Sequence, residues 1–229
     1  LFSVNFKGID SSTFGLKVRK RPPICQAETK NIKIEIPGRD GYLIYSDNTR
    51  KGFTIPVEFF FSTDNYIQNI RQIKEWLSGE GNLIFSDEPD KYYKATVYSA
   101  FNIEIALQKL GQFIVLFDCQ PFAYAVNNNL ITLTAPGNIN NPGNIESQPR
   151  ITVYGQGNIT LNINDNIIQL IDVVNSITVD SELFDCYKGN ELKNNCMIGE
   201  FPTLKPDDNS ISWEGKIYRI EIIPNWRWI

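Results

Sequence analysis

With 229 residues, 42% of them hydrophobic, the chain has enough apolar material for one large domain or two ordinary ones. Residues 1–125 carry 15 Lys+Arg against 14 Asp+Glu (net +1) and residues 126–229 carry 7 against 12 (net -5), so neither half has the basic stripe that grips nucleic acid phosphates. There is no histidine, which excludes Ser-His-Asp and Cys-His nucleophile pairs, histidine zinc ligands and imidazole acid-base catalysis.

Phe2, Val4 and Phe6 alternate with polar residues as a first strand, a polar turn follows at Gly8–Thr13, and Leu16–Arg19 forms a second strand stopped by Arg21-Pro22-Pro23. Next comes a long hairpin. Ile32, Ile34 and Ile36 alternate with Lys33 and Glu35, Pro37-Gly38-Arg39-Asp40-Gly41 makes the turn, and Tyr42–Ser46 returns. Gly38 and the Asp40-Gly41 pair accept the positive φ that a tight β-turn requires. A second break at Asp47–Gly52 leads into Phe53–Phe61, an almost continuous apolar run expected to be a buried strand. A two-faced ribbon of two strands buries too little surface to be stable alone and needs something to lie against.

One helix is predicted, capped by Ser62, Thr63 or Asp64, with an apolar stripe at Ile67, Ile70, Ile73 and Leu77 and an end at Gly79 and Gly81. Strands follow at Leu83–Ser86, Lys91–Ala100 and Ile103–Leu107, the first stopped by Asp87-Glu88-Pro89-Asp90 and the last by Lys109-Leu110-Gly111. Gln112–Cys119 has the composition of a central strand, and Pro121–Tyr124 closes this half. After Asn127-Asn128-Asn129 helical periodicity disappears. Short strands at 130–135, 150–154, 158–163, 167–170, 176–179, 184–187, 210–213 and 216–223, separated by turn signals, predict a β-sandwich. The expected domains are therefore 1–125 and 126–229.

The residues that could carry chemistry all have a plainer reading. Asp87, Glu88 and Asp90 are the densest carboxylates, but they straddle Pro89 where a turn would place them. Asp207-Asp208-Asn209 lacks the spacing and the terminal Glu of a calcium loop. Gly155-x-Gly157 lacks the third glycine and the helix of a dinucleotide site. The run Lys17–Arg21 is a basic cluster of the kind that guards a solvated sheet edge. Cys25, Cys119, Cys186 and Cys196 have no zinc-site spacing; Cys186 and Cys196 flank a turn and could face each other across a hairpin, though reduced thiols are expected. Trp213 shares a strand face with Ile211, and Trp226 and Trp228 must dock on the sandwich or on a neighbour. No catalytic residue, metal site or cofactor is predicted. No apolar run approaches the ~20 residues that span a bilayer and no basic-then-apolar leader is seen, so folding in the cytosol without membrane insertion is expected.

Ordered motifs run through the whole chain: F-K-G-I-D-S-S-T-F-G-L at 6–16, I-P-G-R-D-G-Y-L at 36–43, L-I-F-S-D-E-P-D-K-Y-Y-K-A at 83–95, F-D-C-Q-P-F-A-Y at 117–124, N-P-G-N-I-E-S-Q-P-R-I at 141–151, G-E-F-P-T-L at 199–204 and P-N-W-R-W at 224–228. Together they resemble the distal tail protein family of long-tailed, non-contractile phages. The resemblance implies a mainly β, non-enzymatic virion protein at the tail tip of a phage or phage-tail-like particle. Its N-terminal domain, a sandwich or split barrel with one helix and a hairpin arm, would form a homohexameric ring between the tail tube protein and the tail-associated or fibre protein. Its galectin-like C-terminal sandwich would project from the rim, where receptor-binding components attach. DNA would pass through the ring without sequence-specific binding. The hairpin tip Gly38, Arg39, Asp40 and Gly41 would lap a neighbouring subunit. The rival reading is a carbohydrate-binding module whose Trp213, Trp226 and Trp228 contact cell-wall sugars or a partner.

Overall fold

Residues 2–24, 26–61, 70–98 and 112–229 are described in the computed structural model, which divides the chain into compact units at 1–126 and 127–228. In the first unit, the opening alternation becomes β1 (Val4–Phe6), paired to β2 (Ile9–Asp10) through the turn at Lys7-Gly8. A single 3-10 turn (Ser11–Phe14) follows, and its cap explains why polar residues sit there. The Asp10 carboxylate accepts from Ser12 N at 2.9 Å and from Ser3 Oγ at 2.8 Å. Partial burial pushes the Asp10 pKa up, but these hydrogen bonds outweigh it and hold the carboxyl below its usual range.

The remaining elements of this unit are β3 (Leu16–Val18), β4 (Thr29–Glu35), β5 (Tyr42–Arg50), β6 (Phe53–Phe61), α1 (Ile70–Trp76), β7 (Gly79–Phe85), β8 (Glu88–Val97) and β9 (Gln112–Ala125). Seven strands form one antiparallel sheet in the order β2-β1-β7-β8-β9-β6-β3. The sheet curls so far that Val18 N, on the strand at one end, donates to Phe2 O beside β1 near the other. Its inner face is a fully buried apolar layer that includes Val4, Phe6, Leu16, Ile55, Val57, Phe59, Leu83, Val115 and Phe117. Helix α1 lays Ile70, Ile73 and Trp76 on that layer. Trp76 is the pivot: its ring meets Phe6, Phe14 and Phe59, and its Nε1 donates to Phe6 O at 2.8 Å. The predicted helix start at 62–64, Ile67, the strand at 103–107, the turn at 109–111 and Cys25 lie outside the described residues.

Three boundaries differ from expectation. Gly79 opens β7, so the strand begins four residues before Leu83. The turn after β7 is only Ser86-Asp87, and Glu88-Pro89-Asp90 already belong to β8. Pro89 is tolerated because the β8–β9 ladder starts at Lys91, so its missing N–H interrupts nothing on that side. Strand β5 runs on to Arg50, because the Asp47–Thr49 break is a local kink: Asn48 takes φ 60° while the Asp47 carboxylate accepts from Thr49 N at 2.9 Å.

The second unit contains β10 (Ile131–Leu133), β11 (Gly137–Asn141), β12 (Arg150–Ile163), β13 (Asn166–Asp180), β14 (Asp185–Lys188), β15 (Glu191–Leu192), β16 (Met197–Ile198) and β17 (Asp207–Ile223). Together they form one eight-stranded antiparallel sheet. Six of the predicted short strands are halves of three long ones: 150–154 with 158–163, 167–170 with 176–179, and 210–213 with 216–223. The intervening residues are bends, with register shifts after Tyr154 and between Gln156 and Thr160. Gly155 permits a close approach, since a Cβ there would lie 2.4 Å from Lys216 O. Both halves of β12 bury alternate residues, Ile151 and Val153 in one and Ile159, Leu161 and Ile163 in the other. This unit has no α-helix to cover them, so the bent sheet folds over and covers itself, giving a two-layered sandwich.

Loops at one end of this unit are held by buried asparagines. Asn209, fully buried, accepts from Lys205 N and Asn164 Nδ2, both at 2.8 Å, and donates to Lys205 O at 2.8 Å and Asp207 O at 3.0 Å. Thus Asp207-Asp208-Asn209 is a loop clamp. Asn209→Ala removes all of these bonds and strands buried partners, and is expected to cost about 3 kcal/mol in urea denaturation. A midpoint unchanged from wild type would refute that role.

Candidate assembly surface

The hairpin β4–β5 forms a two-stranded sheet of its own. Asn31 faces Ser46, Ile32 faces Tyr45, Lys33 faces Ile44, Ile34 faces Leu43 and Glu35 faces Tyr42. Opposed residues share a face, so Ile32, Ile34, Leu43 and Tyr45 make one wholly apolar face. The other face mixes polar and apolar side chains, with the Lys33 ammonium 4.6 Å from the Tyr42 ring centroid. Among the described residues nothing covers either face: the large apolar residues from Ile32 to Tyr45 are between 39% and 63% exposed. At the tip, Gly38 and Gly41 both take φ 80° and Arg39 N donates to Ile36 O. The base is fixed, with Lys51 N bonded to Glu28 O at 2.8 Å and Arg50 Nη1 to Ala27 O at 3.1 Å. The hairpin is thus an arm anchored at its base, with an apolar side that has no partner among the described residues.

A second apolar surface lies on the outer face of the curled sheet. The run Phe53–Phe61, expected to be a buried strand, and Gln112–Cys119, with the composition of a central strand, both alternate between buried and more exposed residues. Their inward residues are buried, while Ile114 is 55% and Leu116 50% exposed, and Pro56, in register with Leu116, is exposed too. Composition alone does not reveal this, because an apolar run looks the same whether one face or both are covered by the chain itself.

The other candidate residues have structural roles. Arg21 bridges Asp87 at 2.7 Å and Glu88 at 3.0 Å, and Lys91 bridges Glu88 and Asp90. The hydrogen bond from Lys91 holds the Asp90 carboxyl below its usual pKa, the opposite of what a general acid needs. Arg19 pairs with Glu58, so two members of the basic run are occupied within the fold. Among the described residues no group of three metal-ligating side chains occurs. Trp213 is half-buried in register with fully buried Leu161. Trp226 is buried, Trp228 is half-buried, and the segment is tied down within its own unit by Asn225 to Asn128 and Gln148, and by Arg227 to Glu146 O and Gln148.

Cys119, Cys186 and Cys196 are free thiols. Burial pushes the Cys119 pKa up to about 12 and that of Cys186 up to about 11. At pH 8 neither supplies appreciable thiolate, so iodoacetamide treatment of the native protein is expected to spare both while modifying half-exposed Cys196. Peptide mass mapping before and after denaturation checks this; rapid native labelling of Cys119 would show the strand to be open.

Residues 9–119 match the family model described as the phage tail protein RIFT-related domain. No curated protein matches the sequence. Among solved structures, the SPP1 Dit (gp 19.1) protein, described as a paradigm of the hub adsorption apparatus in phages infecting Gram-positive hosts, has the same fold. It aligns with a TM-score of 0.73 at 17% identity, over 97% of this chain and 98% of that one. The chain therefore carries a phage tail protein domain in its first half and has, along nearly its whole length, the fold of a tail hub protein.

Proposed function

We propose that the chain forms a hexameric ring that joins the tail tube to the tail-associated, receptor-binding apparatus below it. The unit of residues 1–126 is the ring-former. The observation that carries this is the hairpin, whose Ile32, Ile34, Leu43 and Tyr45 face has no partner among the described residues. A head-to-tail ring needs two different surfaces per subunit, and a projecting arm is one of them. In this reading the tip Gly38, Arg39, Asp40 and Gly41 reaches over a neighbouring subunit, and the second unit is a galectin-like sandwich that carries peripheral components. Negative-stain images and light scattering of the purified full chain test the proposal. Six-fold particles are expected; a single-chain mass at every concentration, alone and with tube protein added, would overturn it.

The sugar-binding alternative draws less support. An aromatic sugar platform needs exposed ring faces, whereas Trp226 is buried and Trp213 stands in the row of buried Leu161. A glycan array without signal is the expected result, and a reproducible hit lost on Trp213→Ala would revive that reading.

A further inference from the structure

We infer that the outer face of β6 and β9, around Pro56, Ile114 and Leu116, is the seat on which the apolar face of the hairpin from a second copy lies. The inference rests on the ring reading above and adds where the arm lands. Along β9, Ile114 stands opposite Glu58 and Leu116 opposite Pro56, so the two large apolar side chains are consecutive on one face with the proline ring beside them. Among the described residues nothing covers this cluster, and the inward neighbours Phe113, Val115 and Phe117 already supply the core.

The occupant follows from what the same chain displays elsewhere. One copy offers an apolar ribbon face, Ile32, Ile34, Leu43 and Tyr45, and an apolar patch on a different sheet, and both are exposed, so they do not cover each other within one molecule. Ribbon against ribbon would close a two-fold dimer and leave the patch bare. Ribbon against patch covers both surfaces and repeats head to tail, which is the geometry of a ring. The contact is face to face, as between packed sheets, with side chains from the two faces interleaving.

Edge pairing, the usual alternative, is blocked where it would be easiest. Strand β3 pairs with β6 only at Phe59–Phe61, which leaves the edge of β6 open before Glu58. Glu58 O points to that side, since it accepts from Arg19 N. Pro56, two residues away, points the same way and has no N–H to give. A proline at the middle of an open edge discourages strand addition and leaves the apolar face as the point of attachment.

Two full-length variants test this: a seat variant (Ile114→Glu with Leu116→Glu) and an arm variant (Ile34→Glu with Leu43→Glu). All four positions are exposed, so circular dichroism and melting should match wild type. Light scattering should give the wild type as a closed oligomer and each variant as a single chain. Mixed in equal amounts, the variants should form a 1:1 heterodimer, because one intact arm meets one intact seat and neither complex can grow further. A seat variant that still assembles fully would overturn the seat and leave the ring reading standing. Two folded, monomeric variants that fail to combine would also overturn the seat. A monomeric wild type would instead sink the ring reading itself.

Discussion

Replacing residues 32–45 with a short glycine-serine turn is expected to leave the fold intact and abolish assembly. Asn31 and Ser46 are paired across the hairpin, so a few residues close the gap without pulling on the base, which the bonds of Glu28 and Ala27 to Lys51 and Arg50 maintain. The excised side chains are exposed in the single chain, so little native burial is lost and the melting temperature should stay within about 2–4 °C, the shift that 1 kcal/mol produces in a chain of this size. Assembly should respond very differently. Burying a large apolar side chain is worth roughly 1.5–3 kcal/mol, and about 1.4 kcal/mol changes an equilibrium constant tenfold. Four such side chains per contact, repeated around a ring, separate a stable oligomer from a solution of monomers. Light scattering and differential scanning calorimetry on the same sample check both halves. Persistent rings would show that the arm is not the contact, and a large fall in melting temperature would show that it belongs to the fold.

Trp76→Ala should have the opposite profile, a severe loss of stability in the first unit. The indole is buried, packs on Phe6, Phe14 and Phe59, and donates from Nε1 to Phe6 O at 2.8 Å. Removing a ring of this size from a packed core costs about 3–5 kcal/mol. That is a large fraction of the 5–15 kcal/mol that typically holds a domain together. A fall in melting temperature of roughly 10 °C or more should follow, with the mutant monomer partly unfolded at growth temperature. Trp76→Phe keeps most of the packing and removes the hydrogen bond, so it should lose only about 1–2 kcal/mol. If the two variants were equally unstable, the hydrogen bond rather than ring volume would be the larger contribution; if neither moved the transition, the helix would not be anchoring the sheet.

Much of the first unit could be read from its residues because local and tertiary signals agree there. The alternation of Ile32, Ile34 and Ile36, followed by Asp40-Gly41, leaves few alternatives to a hairpin, and Ile70, Ile73 and Leu77 of the expected stripe are buried, joined by Trp76. The second unit was read as all-β correctly but cut into too many strands. Gly157 at φ 77°, Asp172 at φ 54°, Asn175 at φ 65° and Gly215 at φ 105° have the composition of turns, yet they bend strands that continue on the far side. A bulge and a turn use the same residue types for the same reason, relief from the strain of positive φ, and only the partner strand decides between them. Strand β11 was missed for a related reason. Gly137–Asn141 carries one apolar residue, Ile139, and is held extended by its ladder to β17 rather than by its own propensity. The exposed side of β9 was hidden because Ile114 and Leu116 differ in no way from their inward neighbours except in what lies against them.

The three bent strands of the second unit have a mechanical consequence. Because β12, β13 and β17 each pass through both layers, the layers are joined covalently at three points and cannot slide past one another under load. A pull on one layer is carried along the backbone into the other, so the sandwich should yield all at once, in a single rupture event, rather than peel layer from layer.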